Sequence, residues 1–240
     1  MRALVLSDIH SNLAALEAVL SDAGEVDQVW CLGDLVGYGP DPNECISRIR
    51  ELPHICVAGN HDYGVLGKLD LSDFNSHARE ACLWNRRQLS ADNRQYLDAL
   101  GETLVTGDFT LVHGSPRMPI WEYILGPEEA EANFGFFDTP YCLVGHTHVP
   151  AIFIEGTSSC KAFPLRAGQS LSLGPERLII NPGGVGQPRD GDPGASYMIL
   201  DTERVVIEHY RVDYPIEETQ KRMLKAGLPP QLIARLSIGW

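Results

Sequence analysis

The sequence predicts an α/β fold built on a largely parallel sheet, and three observations carry that expectation. The first half alternates apolar strand-like runs with amphipathic helical ones in the order βαβαβ. From Ala151 to about Arg211 the pattern changes to short strands separated by Gly and Pro turns, which predicts a second sheet packed on the first. The length, 240 residues, suffices for one well-packed core, and no repeat, low-complexity stretch or linker interrupts it. Residues 1–240 are therefore read as a single domain with a helical tail from about 215 to 240.

Residues 3–7 read as a buried strand and residues 12–23 as an amphipathic helix. Residues 28–32 form a second strand. Asp41-Pro42-Asn43-Glu44 then combines a capping Asp, Pro at the first helical position and Glu three residues past the cap, which starts a helix running to about Leu52. Residues 55–58 are a third strand. Two helices follow between Ser76 and about Leu100, with Ser76 and Ser90 as caps. The Gly107-Asp108 turn joins two strands as a hairpin. Residues 141–144 are another buried strand. Pro215 opens a helix to about Ala226, and a last helix follows Pro229-Pro230. The apolar stripe Ile216, Met223, Leu224 is read as covering the chain's own sheet.

Hydrophobic residues make up 44% and charged residues 21%, which excludes disorder over most of the length. A net charge of −13 at pH 7 disfavours long nucleic acids as partners, yet it permits an anionic substrate wherever bound cations reverse the local sign. No apolar run approaches the roughly 20 residues that a membrane-spanning helix needs. The N-terminus reads as a strand leading into Asp8 and His10 rather than as a signal peptide. Cys31, Cys45, Cys56, Cys82, Cys142 and Cys160 form no C-x-x-C pair and read as reduced core thiols, which places the protein in the cytoplasm.

Five short motifs carry chemistry: Asp8-Ile9-His10, Gly33-Asp34, Gly59-Asn60-His61-Asp62, His113-Gly114 and Gly145-His146-Thr147-His148. Four of them follow a predicted strand, and residues just past the carboxyl ends of neighbouring strands converge without long loops. Glycines before Asp34, Asn60 and His146 let the backbone approach closely. In Asp8-x-His10 and His146-x-His148, an extended segment would point alternate side chains the same way. Asp, His and Asn together suit manganese, iron, zinc, cobalt or nickel, and the absence of Cys argues against a structural zinc site. His54, His77 and His209 lie outside all five motifs and are read as structural or surface residues.

In this order the motifs resemble the calcineurin-like metallophosphoesterases, and Asn181-Pro182-Gly183-Gly184 extends the resemblance to the small bacterial and archaeal phosphodiesterase branch. The resemblance implies a four-layer αββα sandwich with two mixed sheets. It implies one divalent metal held by Asp8, His10, Asp34 and His148, and another held by Asp34, Asn60, His113 and His146, with manganese the foremost candidate. Asp34 would bridge them through its two oxygens. Such ions, roughly 3.5–4 Å apart, share a hydroxide that attacks phosphorus in line with the leaving oxygen. His61 would protonate the leaving alkoxide. Asp62 either orients that imidazole or caps the following segment.

The departures narrow the substrate. Gly33-Asp34-Leu35-Val36-Gly37-Tyr38-Gly39 lacks the Asp-Arg-Gly with which many protein Ser/Thr phosphatases of the family grip phosphate. That disfavours a protein phosphatase and a dinucleoside polyphosphatase. Tyr38 either lines the substrate mouth or packs under the turn. Arg117 and Arg189 are the candidate replacements for the missing guanidinium, or else solvated surface residues. A nuclease is the other enzymatic alternative, and the acidic surface opposes it. A non-catalytic scaffold is disfavoured because every ligand position and His61 are intact. The reading is thus a two-metal hydrolase of small phosphodiesters, with phosphomonoesters as a second substrate class.

Overall fold

Alternation of buried side chains sorts the strands into two sheets and decides which face each one covers. The computed structural model describes residues 1–240. In chain order the elements are β1 (Arg2–Leu6), α1 (Leu13–Ala23), β2 (Gln28–Cys31), α2 (Pro42–Arg50), β3 (His54–Cys56), α3 (Asn60–Leu66), α4 (Ser76–Gln88) and α5 (Ala91–Asp98). Next come β4 (Thr103–Thr106), β5 (Phe109–Val112), α6 (Pro127–Asn133), β6 (Tyr141–Leu143), β7 (Ala151–Ile154), β8 (Lys161–Pro164) and β9 (Ser170–Ser172). The chain ends with β10 (Leu178–Asn181), β11 (Ala195–Asp201), β12 (Val206–Val212), α7 (Ile216–Lys225) and α8 (Pro230–Arg235).

The first sheet has the order β3-β2-β1-β11-β12-β9 and the second β4-β5-β6-β10-β7-β8. The β1, β2 and β3 strands run parallel, as do β5, β6 and β10, while the remaining pairings are antiparallel. In β1, Ala3 and Val5 point into the core between the sheets, where they join Trp30, Leu111, Leu143 and Ile180. Leu4 and Leu6 point the other way, into a core shared with α1, α2 and α4. On the outer face of the second sheet, Val112, Cys142 and Ile179 pack against Ala130 of α6 and Phe134. Helix, sheet, sheet and helix thus make the four layers of an αββα sandwich with two mixed sheets.

The strands after Ala151 do not form a sheet of their own. β9, β11 and β12 complete the first sheet, while β7, β8 and β10 join the earlier β4, β5 and β6. The reason is register: β11 pairs along nearly all of β1, from Arg2 with Asp201 to Val5 with Met198. Caps differ in two places. Asn75, not Ser76, caps α4 by accepting from Ala78 N at 3.0 Å. Asp41 precedes α2 as expected but makes no capping hydrogen bond, because its carboxylate pairs with Arg222 of α7. Two short helices, α3 and α6, have too little periodicity to read from sequence. The α7 helix packs on α1, where Thr219 donates to Asn12 Oδ1 at 2.9 Å, and Leu224 stays exposed. All six cysteines are buried and free. No helix is long and apolar enough to cross a membrane.

Candidate metal centre

Loops at the carboxyl ends of β1, β2, β5 and β6, together with the start of α3, bring Asp8, His10, Asp34, Asn60, His113, His146 and His148 into one buried cluster. The approach is close because glycine stands where a side chain could not. A Cβ on Gly59 would collide with the Asp34 carboxylate, and one on Gly145 would collide with Ser7 and Asp8.

The two i, i+2 pairs do not converge by pleating, as an extended segment would require. Asp8, His10, Asp34, His146 and His148 all adopt left-handed backbone, with φ of 56°, 49°, 54°, 65° and 59°. Ser11 and Tyr38 do the same, and Val205 is the one other non-glycine residue with positive φ. Each such residue costs about 1–3 kcal/mol, so their concentration in these loops is strain held at a site by its surroundings. Asp and His tolerate this conformation better than β-branched residues, which fits the residue types found here.

Hydrogen bonds settle which histidine nitrogens face inward. Nδ1 of His10 donates to Val36 O at 3.0 Å, and Nδ1 of His113 donates to Leu32 O at 2.8 Å. His148 Nδ1 donates to Gln187 O. In His146 it is Nε2 that donates, to Trp121 O at 3.3 Å. A carbonyl can only accept, so in the neutral form of each ring the opposite nitrogen carries a lone pair toward the cluster. His10 Nε2 faces His148 Nε2 at 3.2 Å, and His148 Nε2 lies 3.1 Å from Asp8 Oδ1. Burial lowers the proton affinity of His10, His146 and His148, so these lone pairs stay free.

His113 behaves oppositely. Burial disfavours its charge, but Asp34 and Asp8 outweigh that and push it up to about 9. Its Nε2 sits 3.0 Å from Asn60 Oδ1, 3.1 Å from His146 Nδ1 and 3.4 Å from Asp34 Oδ2. The negative potential at that point draws a cation, and in metal-free protein a proton serves.

The carboxylates are divided in their duties. Asp8 Oδ2 accepts from His146 N at 3.1 Å, and Asp34 Oδ1 accepts from His61 N at 2.8 Å. Asp8 Oδ1 and Asp34 Oδ2 are buried with no hydrogen-bond partner. Asp34 Oδ2 lies 3.6 Å from His10 Nε2 and 3.4 Å from His113 Nε2, so one oxygen, rather than the carboxylate's two, faces both halves. Orphaned anionic oxygens opposite converging imidazole lone pairs fit divalent ions of the N/O-binding transition series. Asp8, His10 and His148 form one ligand group and Asp34, His113 and His146 another, and His61 also comes within ligand range of His10 and Asp34.

His61 is buried beside the cluster, its ring 4.8 Å from that of His10, 4.4 Å from Tyr38 and 5.0 Å from Phe74. Burial lowers it to about 4, against the pull of Asp34. Cys82 Sγ approaches its Nδ1 at 3.5 Å. Burial raises the Cys82 thiol, which therefore keeps its proton, and the contact leaves Nε2 as the ring nitrogen without a protein partner.

Asp62 does not orient this imidazole. Its Oδ2 accepts from Gly59 N and Asp34 N, both at 2.9 Å, and its Oδ1 accepts from Val36 N at 3.2 Å. It ties the Asp34 loop to the start of α3. Burial and the neighbouring Asp34 push it up to about 7 against those three donors. Asp62→Ala is expected to strand the donors and cost roughly 3 kcal/mol or more. Thermal denaturation should show a fall of about 6–12 °C. Asp62→Asn, which keeps an acceptor, should lose less.

Arg117 turns away from the cluster. Its guanidinium pairs with Glu122, and 38% of its side chain is exposed. A carboxylate nine residues past His113 could not be matched to it from sequence alone. Arg189 is at the site: Nη2 donates to Tyr38 Oη and to Gln187 Oε1, each at 3.2 Å, while its buried Nε has no partner. Tyr38 is buried under it, edge-on to His10 at 4.6 Å. Sequence reasoning missed Tyr123, whose ring stacks on His146 at 3.7 Å and remains 41% exposed. It missed Cys82 and Asn85 as well. Asn85 Oδ1 accepts from Ser11 Oγ and from Gly37 N, and its Nδ2 donates to Gly39 O. The only advance signal was the cluster Trp121-Glu122-Tyr123 close after His113.

Residues 1–205 match the model of the calcineurin-like phosphoesterase superfamily domain. The chain belongs to that superfamily. Among solved structures, a metallophosphoesterase from Sphaerobacter thermophilus is 51% identical and superposes with a TM-score of 0.93, covering 100% of this chain and 99% of that one. An uncharacterized protein of Methanocaldococcus jannaschii is 40% identical over 98% of this chain and 97% of its own length. The phosphodiesterase YfcE of Escherichia coli strain K12 is 25% identical over 85% of this chain and 89% of its own length. This calcineurin-like chain is a phosphoric ester hydrolase of a metal-dependent family.

Proposed function

We propose that the chain hydrolyses small phosphodiesters at a centre of two divalent transition ions, manganese foremost. The single observation that carries the reading is Asp34 Oδ2, unpartnered and placed between the His10 and His113 nitrogens. Asp8, His10, Asp34 and His148 would hold one ion, and Asp34, Asn60, His113 and His146 the other. Ions bound there supply positive charge opposite the phosphoryl oxygens and make water more acidic. Arg189, steadied by Tyr38 and Gln187, presents its guanidinium to the remaining phosphate oxygen. His61 donates from Nε2 to the leaving oxygen. The similarity to a phosphodiesterase and the absence of an Asp-Arg-Gly segment after Asp34 both favour diesters. On this reading the chain acts as one domain, with Leu236 of the tail packed in the same closed crevice as His10. Six buried thiols fit a reducing compartment such as the cytoplasm.

Elemental analysis of protein reconstituted with manganese should find two ions per chain, and chelation should abolish activity. Full activity in metal-free protein would end this reading. Steady-state kinetics on bis(p-nitrophenyl) phosphate, a phosphopeptide and a duplex oligonucleotide should rank the diester first, because the net charge of −13 repels the duplex. A kcat/KM on phosphopeptide above that on every small diester would restore the protein phosphatase reading.

A further inference from the structure

Resting on the phosphoesterase reading above, we propose that Tyr123 is a stacking platform for an aromatic group of the substrate. The esters cleaved here would then carry an aryl ring or a nucleobase beside the phosphate.

Tyr123 lies on the loop between His113 and α6. Its ring stacks on the imidazole of His146, with centroids 3.7 Å apart and planes inclined by 18°. That imidazole turns Nε2 to Trp121 O at 3.3 Å and places Nδ1 3.1 Å from His113 Nε2, inside the cluster. One face of the tyrosine ring is therefore closed by a ligand candidate. The residue is nonetheless 41% exposed, so the surface it offers to solvent is the opposite face and the ring edge. Two other rings touch the cluster differently. Tyr38 packs on His10 and Phe74 on His61, and both are buried. Tyr123 instead reaches from the cluster to solvent, where the organic part of a bound ester must lie.

The ring is held in place by its neighbours on both sides. Glu122 accepts from Ser115 Oγ at 2.6 Å and from Asn133 Nδ2 at 2.9 Å, and it pairs with Arg117. Ile124 is buried in the same core as Phe134 and Phe153. A rigid aromatic surface binds with little ordering cost, because its position is set before the ligand arrives. Met118 and Leu125 of the same loop are 50% and 73% exposed, so the surround of the ring is apolar in a chain of net charge −13. Exposed apolar surface next to a polar cluster marks a binding site, and a flat ring with one open face favours a second flat ring. A residue that only shielded His146 would gain nothing from this exposed apolar surround.

The test measures binding of phosphonates, which have no ester to cleave, to the manganese-loaded full chain by calorimetry. Methylphosphonate reports the phosphate site, phenylphosphonate adds an aromatic ring, and cyclohexylphosphonate adds similar bulk without aromaticity. Wild type should bind phenylphosphonate roughly 5- to 100-fold more tightly than methylphosphonate, as stacking of one ring provides, with cyclohexylphosphonate between them. Tyr123→Leu should remove most of the phenyl advantage, and Tyr123→Phe should keep it. Wild type that binds phenyl- and methylphosphonate equally, or phenyl- and cyclohexylphosphonate equally, overturns the proposal. So does a Tyr123→Leu protein with the wild-type ratio, since weakening all three ligands alike is the mark of a residue that only supports the cluster. Failure of methylphosphonate to bind the loaded chain counts against the phosphoesterase reading itself, and the proposal falls with it.

Discussion

Asp34→Asn should leave the fold standing and empty both halves of the metal centre. The substitution is nearly isosteric, and the amide oxygen can keep the hydrogen bond from His61 N that Asp34 Oδ1 accepts at 2.8 Å. The NH2 group then falls where Oδ2 was, 3.6 Å from His10 Nε2 and 3.4 Å from His113 Nε2. There it donates to lone pairs that would otherwise bind metal, and the negative charge that favours a cation is gone. Because one oxygen faces both ligand groups, the loss cannot be confined to one of them. Elemental analysis should find neither ion, and kcat/KM should fall by more than about 10³-fold, beyond the loss of a single oxyanion donor. Circular dichroism should match that of metal-free wild type. Retention of one ion per chain would show that the halves are independently held and that Asp34 is not their shared ligand.

How far the sequence revealed this centre follows from what each residue depends on. The seven ligand candidates could be read early because strand ends fix where they emerge, and Asp8, Asp34 and His113 each follow a strand after one or a few residues. The way they converge could not be read. Left-handed backbone at Asp8, His10, His146 and His148 is imposed by loops packing on one another, and no local propensity announces it. Asp62 shows the same limit. A carboxylate beside a catalytic imidazole invites an orienting role, yet it faces three amide donors from two separate loops. The two arginines differ for a reason found only in three dimensions: Glu122 neutralises Arg117, while Arg189 meets Tyr38 and Gln187. Strand membership was hidden likewise, because β11 inserts beside β1 across almost the whole chain.

His61→Ala should leave both ions bound and slow the chemistry according to the leaving group. No other residue near the cleavage point presents a free N–H of this kind, since the ligand histidines commit theirs to backbone carbonyls. Cys82 Sγ lies against Nδ1, so Nε2 is the nitrogen left to carry the acidic proton when the ring is protonated. For an alkoxide leaving group the loss should be about 10²–10⁴-fold in kcat. For nitrophenolate, which departs without a proton, it should be much smaller. The acidity of His61 sharpens the test. Burial lowers its pKa to about 4 in the metal-free protein, so the ring is neutral near pH 7 and gains its proton only as pH falls. A bound phosphate anion beside the ring favours the protonated form and moves that titration upward. The rate with alkoxide esters should therefore decline as pH rises through the shifted value, and His61→Ala should remove that limb of the profile. The nitrophenyl ester should lack the limb in both enzymes. Equal losses for the two leaving groups, or a limb that survives in His61→Ala, would assign the proton to another donor and leave His61 as a group that only positions the Asp34 loop.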